Sequence, residues 1–131
     1  MRYLLLILLL FRLMPAQAEI SGLWRTIDDE TGEAKSVIEI FQKDGLYHGK
    51  VKEILDANAT GLCHACAGEQ KDTPIVGMVV MSDMQFFDGQ YVGGMIFDPA
   101  KAKTYRCKLW LENGQLKVRG YLGFLYRTQT W

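Results

Sequence analysis

The chain has 131 residues, with 15 basic and 15 acidic side chains, two histidines and a formal net charge of zero. That length suits one domain, whose core is modest enough for a covalent staple to help. The charge balance argues against nucleic acid, which is held by a cationic stripe that displaces counterions, and against polybasic attachment to lipid headgroups.

The opening segment reads as a secretory leader. Arg2 is a short basic head, Leu4 to Leu10 form an unbroken apolar run, and Ala16-Gln17-Ala18 has the small-x-small form of a cleavage site. The run falls short of the roughly 20 apolar residues needed to cross a bilayer, and Arg12 interrupts its continuation. The expectation is cleavage after Ala18, a mature domain over 19–131, a periplasmic or secreted location and no stable membrane anchor after processing. No cysteine follows the cleavage site, which argues against a lipid anchor there. Loss of Arg2 and Arg12 leaves the mature chain slightly acidic.

Strand patterns and turn signals then alternate. Ile20–Ile27 leads into the acidic turn Asp28, Asp29, Glu30 and Glu33, which reads as solvated because it lacks the spacing of a calcium loop. Ser36–Gln42 and Leu46–Leu55 flank Asp44-Gly45, a hairpin signal. After the long connection Ala57–Pro74, the β-branched run Ile75–Met81 predicts a strand, followed by Gln90–Phe97 and the turn Asp98-Pro99. Lys103–Glu112 and Gln115–Leu122 meet at Asn113-Gly114, a type I′ signal, and Leu125–Trp131 closes the chain. No mature segment sustains a helical period.

This pattern predicts an all-β fold, a small closed antiparallel β-barrel of about eight strands. Between Lys103 and Glu112, Tyr105, Cys107, Leu109 and Leu111 share an apolar face opposite Arg106, Lys108 and Glu112. One dry face and one wet face suit a barrel wall. Gly77, Gly93, Gly94 and Gly120 fall inside strand patterns, where a bulge, a corner or a close backbone approach explains glycine without any functional role.

The stretch Leu62-Cys63-His64-Ala65-Cys66 carries the chemistry in question. A thioredoxin-like dithiol opens a helix, yet Gly68 and Pro74 follow here and no βαβ pattern surrounds the motif. Haem attachment requires histidine where Ala67 stands. A closed zinc site needs four ligands; only Cys63 and Cys66 have the spacing, with His48 distant and His64 inside the short loop. A structural Cys63–Cys66 disulfide in an oxidising compartment is the expectation, and its small ring contributes about 1–2 kcal/mol. Cys107 is then a small buried hydrophobe, with intermolecular pairing as the alternative.

No catalytic set is legible, for there is no Gly-x-Ser-x-Gly elbow and no phosphate loop. No metal site and no cofactor are expected either. The aromatic residues Tyr47, Phe97, Tyr105 and Tyr121 either line a cavity or fill the barrel.

The segments GLWRT, the Cys-x-x-Cys loop followed by PIVGM, GGMIFDP with KTY, KVRGYLG and RTQTW, taken in order, resemble a family of secreted bacterial proteins. It is known as domain of unknown function number twenty-one forty-seven. The resemblance covers the mature chain and implies an exported, lipocalin-like (calycin-like) barrel without an assigned activity. Ala102 stands where that family usually has glycine, and the segment from Gly123 to Arg127 is short, which leaves the register of the last strand open. More weakly, Gly22-Leu23-Trp24 resembles the lipocalin Gly-x-Trp opening. That likeness implies Trp24 at the closed end beneath Arg127; the alternative is a buried Trp24 with Arg127 at the surface.

The expected function is a non-enzymatic binding or carrier module for a small, largely apolar ligand. Tyr47, Tyr105, Arg119 and Tyr121 are the candidate contacts, Arg119 or Arg106 orients a polar head group, and the Ala57–Pro74 loop frames the mouth. The alternatives are an envelope protein-interaction module acting through the stapled loop, an envelope hydrolase with a carboxylate site, and a redox protein using Cys63 and Cys66.

Overall fold

The computed structural model describes residues 19–131, so the leader expected over 1–18 lies outside the described residues. These form eight strands: β1 (Gly22–Ile27), β2 (Ala34–Lys43), β3 (Leu46–Ile54), β4 (Val79–Phe87), β5 (Gln90–Asp98), β6 (Lys103–Glu112), β7 (Gln115–Leu122) and β8 (Leu125–Thr130). Each strand pairs antiparallel with the next, giving one sheet in the order β1 to β8.

Three tight turns set the pairing. Asp44-Gly45, Asp88-Gly89 and Asn113-Gly114 all place both residues at positive φ, between 51° and 79°. That geometry matches the twist of a two-residue hairpin. The second of these turns corrects one boundary. The strand expected at Ile75–Met81 begins at Val79 and runs to Phe87, because Asp88-Gly89 fixes its far end. Ile75–Met78 instead approach β3, where Gly77 N–H donates to the Val51 carbonyl at 2.7 Å.

Inward residues build the core: at period two Ile38 and Ile40 on β2 and Leu116 and Val118 on β7, with Leu109 on β6. On β4 the inward Met81 and Met84 are three apart, because Asp83 between them takes a positive φ of 58° and the register with β3 shifts there. Gly94 permits a close crossing in this core. A Cβ at that position would lie 2.1 Å from the Ser82 carbonyl oxygen, so β4 and β5 meet closely only around a glycine.

The expectation of a closed barrel is corrected to a curled half-barrel. β1 and β8 are the edges of the sheet and approach each other without ladder pairing. Each edge strand is short, with six residues. Their flanking backbone groups are also engaged elsewhere: Trp24 Nε1 donates to the Ile20 carbonyl, and Trp131 exchanges two backbone bonds with Leu116. The last register is regular, from Leu122 opposite Leu125 to Lys117 opposite Thr130.

Candidate ligand trough

A meander places alternate connections at opposite ends. The three Asp-Gly and Asn-Gly turns close one end, where Tyr47 and Tyr91 meet edge to face at 4.9 Å. At the other end lie the acidic β1–β2 turn, the long β3–β4 connection, the β5–β6 turn and the β7–β8 turn.

Between these connections a mostly apolar trough of about 580 Å³ opens. Ile38, Val51, Val80, Ile96, Val118 and Trp131 line its depth, and Lys35, Asp56, Asp98, Lys101 and Arg127 stand around its mouth. Gly120 keeps the trough wide. A Cβ there would meet nothing nearer than the Tyr105 Cβ at 3.7 Å, an ordinary contact. Gly120 thus differs from Gly94: one glycine leaves space, the other removes a clash. The indole N–H of Trp131 is buried without an acceptor among the described residues, which costs about 1–3 kcal/mol.

The long connection folds back over this end as a pinned loop. Cys63 and Cys66 are bonded, with Cα atoms 5.4 Å apart. Cys63 N–H donates to the Thr73 carbonyl at 2.8 Å and Asp72 N–H to the Cys63 carbonyl at 2.9 Å. The Cys63 sulfur lies 3.6 Å from the Pro99 carbonyl oxygen, tying the loop to the β5–β6 turn. Cys63 and Cys66 are 0% and 4% exposed. Exchange chemistry needs a sulfur that an external thiolate can reach, so this burial speaks for a staple over a redox centre.

The loop also carries a polar chain that the sequence did not announce. His64 Nδ1 lies 2.6 Å from Asp72 Oδ1 and His64 Nε2 lies 2.9 Å from Thr60 Oγ1. His64 and Asp72 are more than half exposed and Thr60 also accepts from Leu62 N–H, so the chain braces a surface loop. Among the described residues, no three His, Cys, Asp or Glu side chains gather as a metal site.

The candidate contacts separate by face. Tyr105 and Phe97 line the trough. Tyr47 sits at the opposite end beside Tyr91, where burial raises the pKa of both phenols. Arg119 and Tyr121 alternate with inward Val118 and Gly120, so both face outward, a correction to their assignment as ligand contacts. Arg119 stacks on the outer face, 4.9 Å from the Trp110 ring centre and 4.3 Å from that of Tyr126. Arg106 is exposed on the same outer face. The mouth cations are instead Lys35, paired with Asp56 at 3.4 Å, Arg127, and Lys101, which makes no ion pair among the described residues.

Trp24 is half-buried and packs against the core. Arg127 does not stack on it; the guanidinium forms a two-pronged ion pair with Asp29 across the seam between β8 and the β1–β2 turn. The hydrogen bond from Arg127 holds the Asp29 carboxyl below its ordinary range. Asp56 is lowered as well, first by the Asn58 backbone N–H and then by Lys35. Cys107 is buried and unpaired, and burial pushes its thiol up to about 12.

The family model described as "Uncharacterized protein conserved in bacteria (DUF2147)" matches residues 22–131. Among solved structures, protein HP1028 from Helicobacter pylori, described as belonging to the lipocalin family, aligns with a TM-score of 0.74. The two are 21% identical over 86% of this chain and 81% of that one. At that identity the likeness shows a shared lipocalin-like fold. No curated relative matches the chain.

Proposed function

The chain belongs to the DUF2147 family of bacterial proteins, and from that premise we propose that it is a non-enzymatic binding module carrying a small, largely apolar ligand in the trough. The observation that carries this reading is the trough itself. Its volume of about 580 Å³ falls within the ~300–1,000 Å³ typical of ligand pockets, and its depth is apolar while its charges stand at the mouth. The ligand's apolar body lies against Ile96, Val118 and Tyr105. Lys101, free of a carboxylate partner among the described residues, meets a polar head group in the role expected of Arg119 or Arg106. Export after cleavage at Ala18, into an oxidising compartment, is part of the same proposal and accords with the Cys63–Cys66 bond.

The test uses the fluorescent apolar probe 1-N-phenylnaphthylamine, displaced by dodecanoate, in vesicle-free solution. The probe is expected to bind, with a negative heat-capacity change from buried apolar surface. Gly120→Leu, which fills the trough from a position with room for a side chain, is expected to abolish binding while the protein stays folded. Absence of binding across a panel of lipids, or wild-type affinity in Gly120→Leu, overturns the reading.

A further inference from the structure

The β7–β8 turn is apolar where a turn is ordinarily polar. Leu122, Phe124, Leu125 and Tyr126 are 65%, 92%, 60% and 62% exposed. Residues 120–126 carry no charge and are bracketed by Arg119 and Arg127. Leu122, Leu125 and Tyr126 also border the trough, whereas Phe124 does not. From the long connection at the same end, Leu55, Leu62 and Val76 are exposed as well. A contiguous apolar surface on a small protein marks a contact with something apolar.

We propose that this end of the molecule docks on the surface of a zwitterionic phospholipid bilayer. Phe124 and Leu122 insert into the interfacial zone, and the trough mouth lies against the lipid. Three features select this occupant. The tip is a short turn carrying a few exposed apolar side chains, and side chains that enter a bilayer interface give reversible binding that scales with the apolar area they bury. The same end carries Asp28, Glu30, Glu33 and Asp72 beside Lys35 and Lys101, so no cationic stripe calls for anionic headgroups. Finally, the tip is continuous with the trough, so an apolar ligand passes between bilayer and trough without crossing water.

The route of the ligand rests on the binding reading, but the docking is tested without any ligand. Processed protein, Glu19–Trp131, which carries all eight strands, is floated with vesicles of phosphatidylcholine and phosphatidylethanolamine. The wild type is expected to float at low and high salt alike. Phe124→Ser is expected to weaken partition about ten- to hundredfold, since one exposed phenyl no longer leaves water. Phe87→Ser serves as the control: Phe87 is 67% exposed at the opposite end, and its loss leaves flotation unchanged. Phe124→Ser also keeps wild-type affinity for 1-N-phenylnaphthylamine in vesicle-free solution, so docking and binding can fail separately. The proposal is overturned if the wild type does not float, or if Phe124→Ser floats equally well. It is equally overturned if flotation needs phosphatidylglycerol and disappears in high salt, or if Phe124-dependent self-association in sedimentation shows that a second copy covers the tip.

Discussion

Two glycines on inward strand positions have opposite reasons to be glycine, and the difference is measurable. At Gly94 an added Cβ falls 2.1 Å from the Ser82 carbonyl oxygen and 2.4 Å from Met84 Sδ. The nearer obstacle is backbone, so Gly94→Ala forces β4 and β5 apart. Its expected cost is about 1–3 kcal/mol, the range for overpacking a core, read as a lower denaturation midpoint. Gly120 has ordinary negative-φ backbone and open space before it. Gly120→Ala should therefore raise stability by about 0.5–1 kcal/mol, through the smaller entropy lost on folding. From the sequence both glycines read alike, as punctuation inside a strand. Spacing carries no measure of the distance to a neighbouring strand.

At the scale of elements, the β3–β4 connection shows how a long segment becomes a defined wall. The sequence signalled its disulfide and its length. The fold adds the Leu62–Pro74 bridge, the contact of Cys63 with Pro99 and the placement of Ala59 and Ile75 on the trough. Replacing both Cys63 and Cys66 by serine should lower stability by about 1–2 kcal/mol through the small ring. It should weaken probe binding more noticeably, because two lining residues lose their anchorage. Far-UV circular dichroism should stay that of the wild type, since no strand contains either cysteine. An unchanged probe affinity would show that the loop contributes nothing to the site. The neighbouring β4 was half legible. The β-branched run Ile75–Met81 signals it, but the strand starts only at Val79, and Asp88-Gly89, the same kind of signal as Asp44-Gly45, places its end six residues beyond Met81.

The whole molecule is held at its open seam by Arg127 and Asp29, two groups 98 positions apart in the chain. Because Arg127 depresses the Asp29 pKa in the folded state, the pair's contribution is present above the ordinary carboxylate pKa, near 3.9. It is lost as pH falls through the lowered folded value. Protection of β8 amides from exchange, corrected for intrinsic rates, should therefore fall in the acid range below about pH 4. In Asp29→Asn it should already be reduced at neutral pH and lose that acid step; unchanged protection would mean that the pair does not hold the edge. The sequence alone determined the all-β class, the succession of hairpins, the Cys63–Cys66 pairing and the alternation that separates Cys107 from Lys108. Each of these follows from local chemistry: turn residues that accept positive φ, side chains at period two, and two cysteines in one short loop. The tertiary structure alone decided that the sheet curls without closing, that Arg127 meets Asp29 rather than Trp24, that Arg119 faces outward and that Gly120 opens a trough. Those outcomes depend on twist and stagger accumulated over eight strands, a sum that no single segment contains.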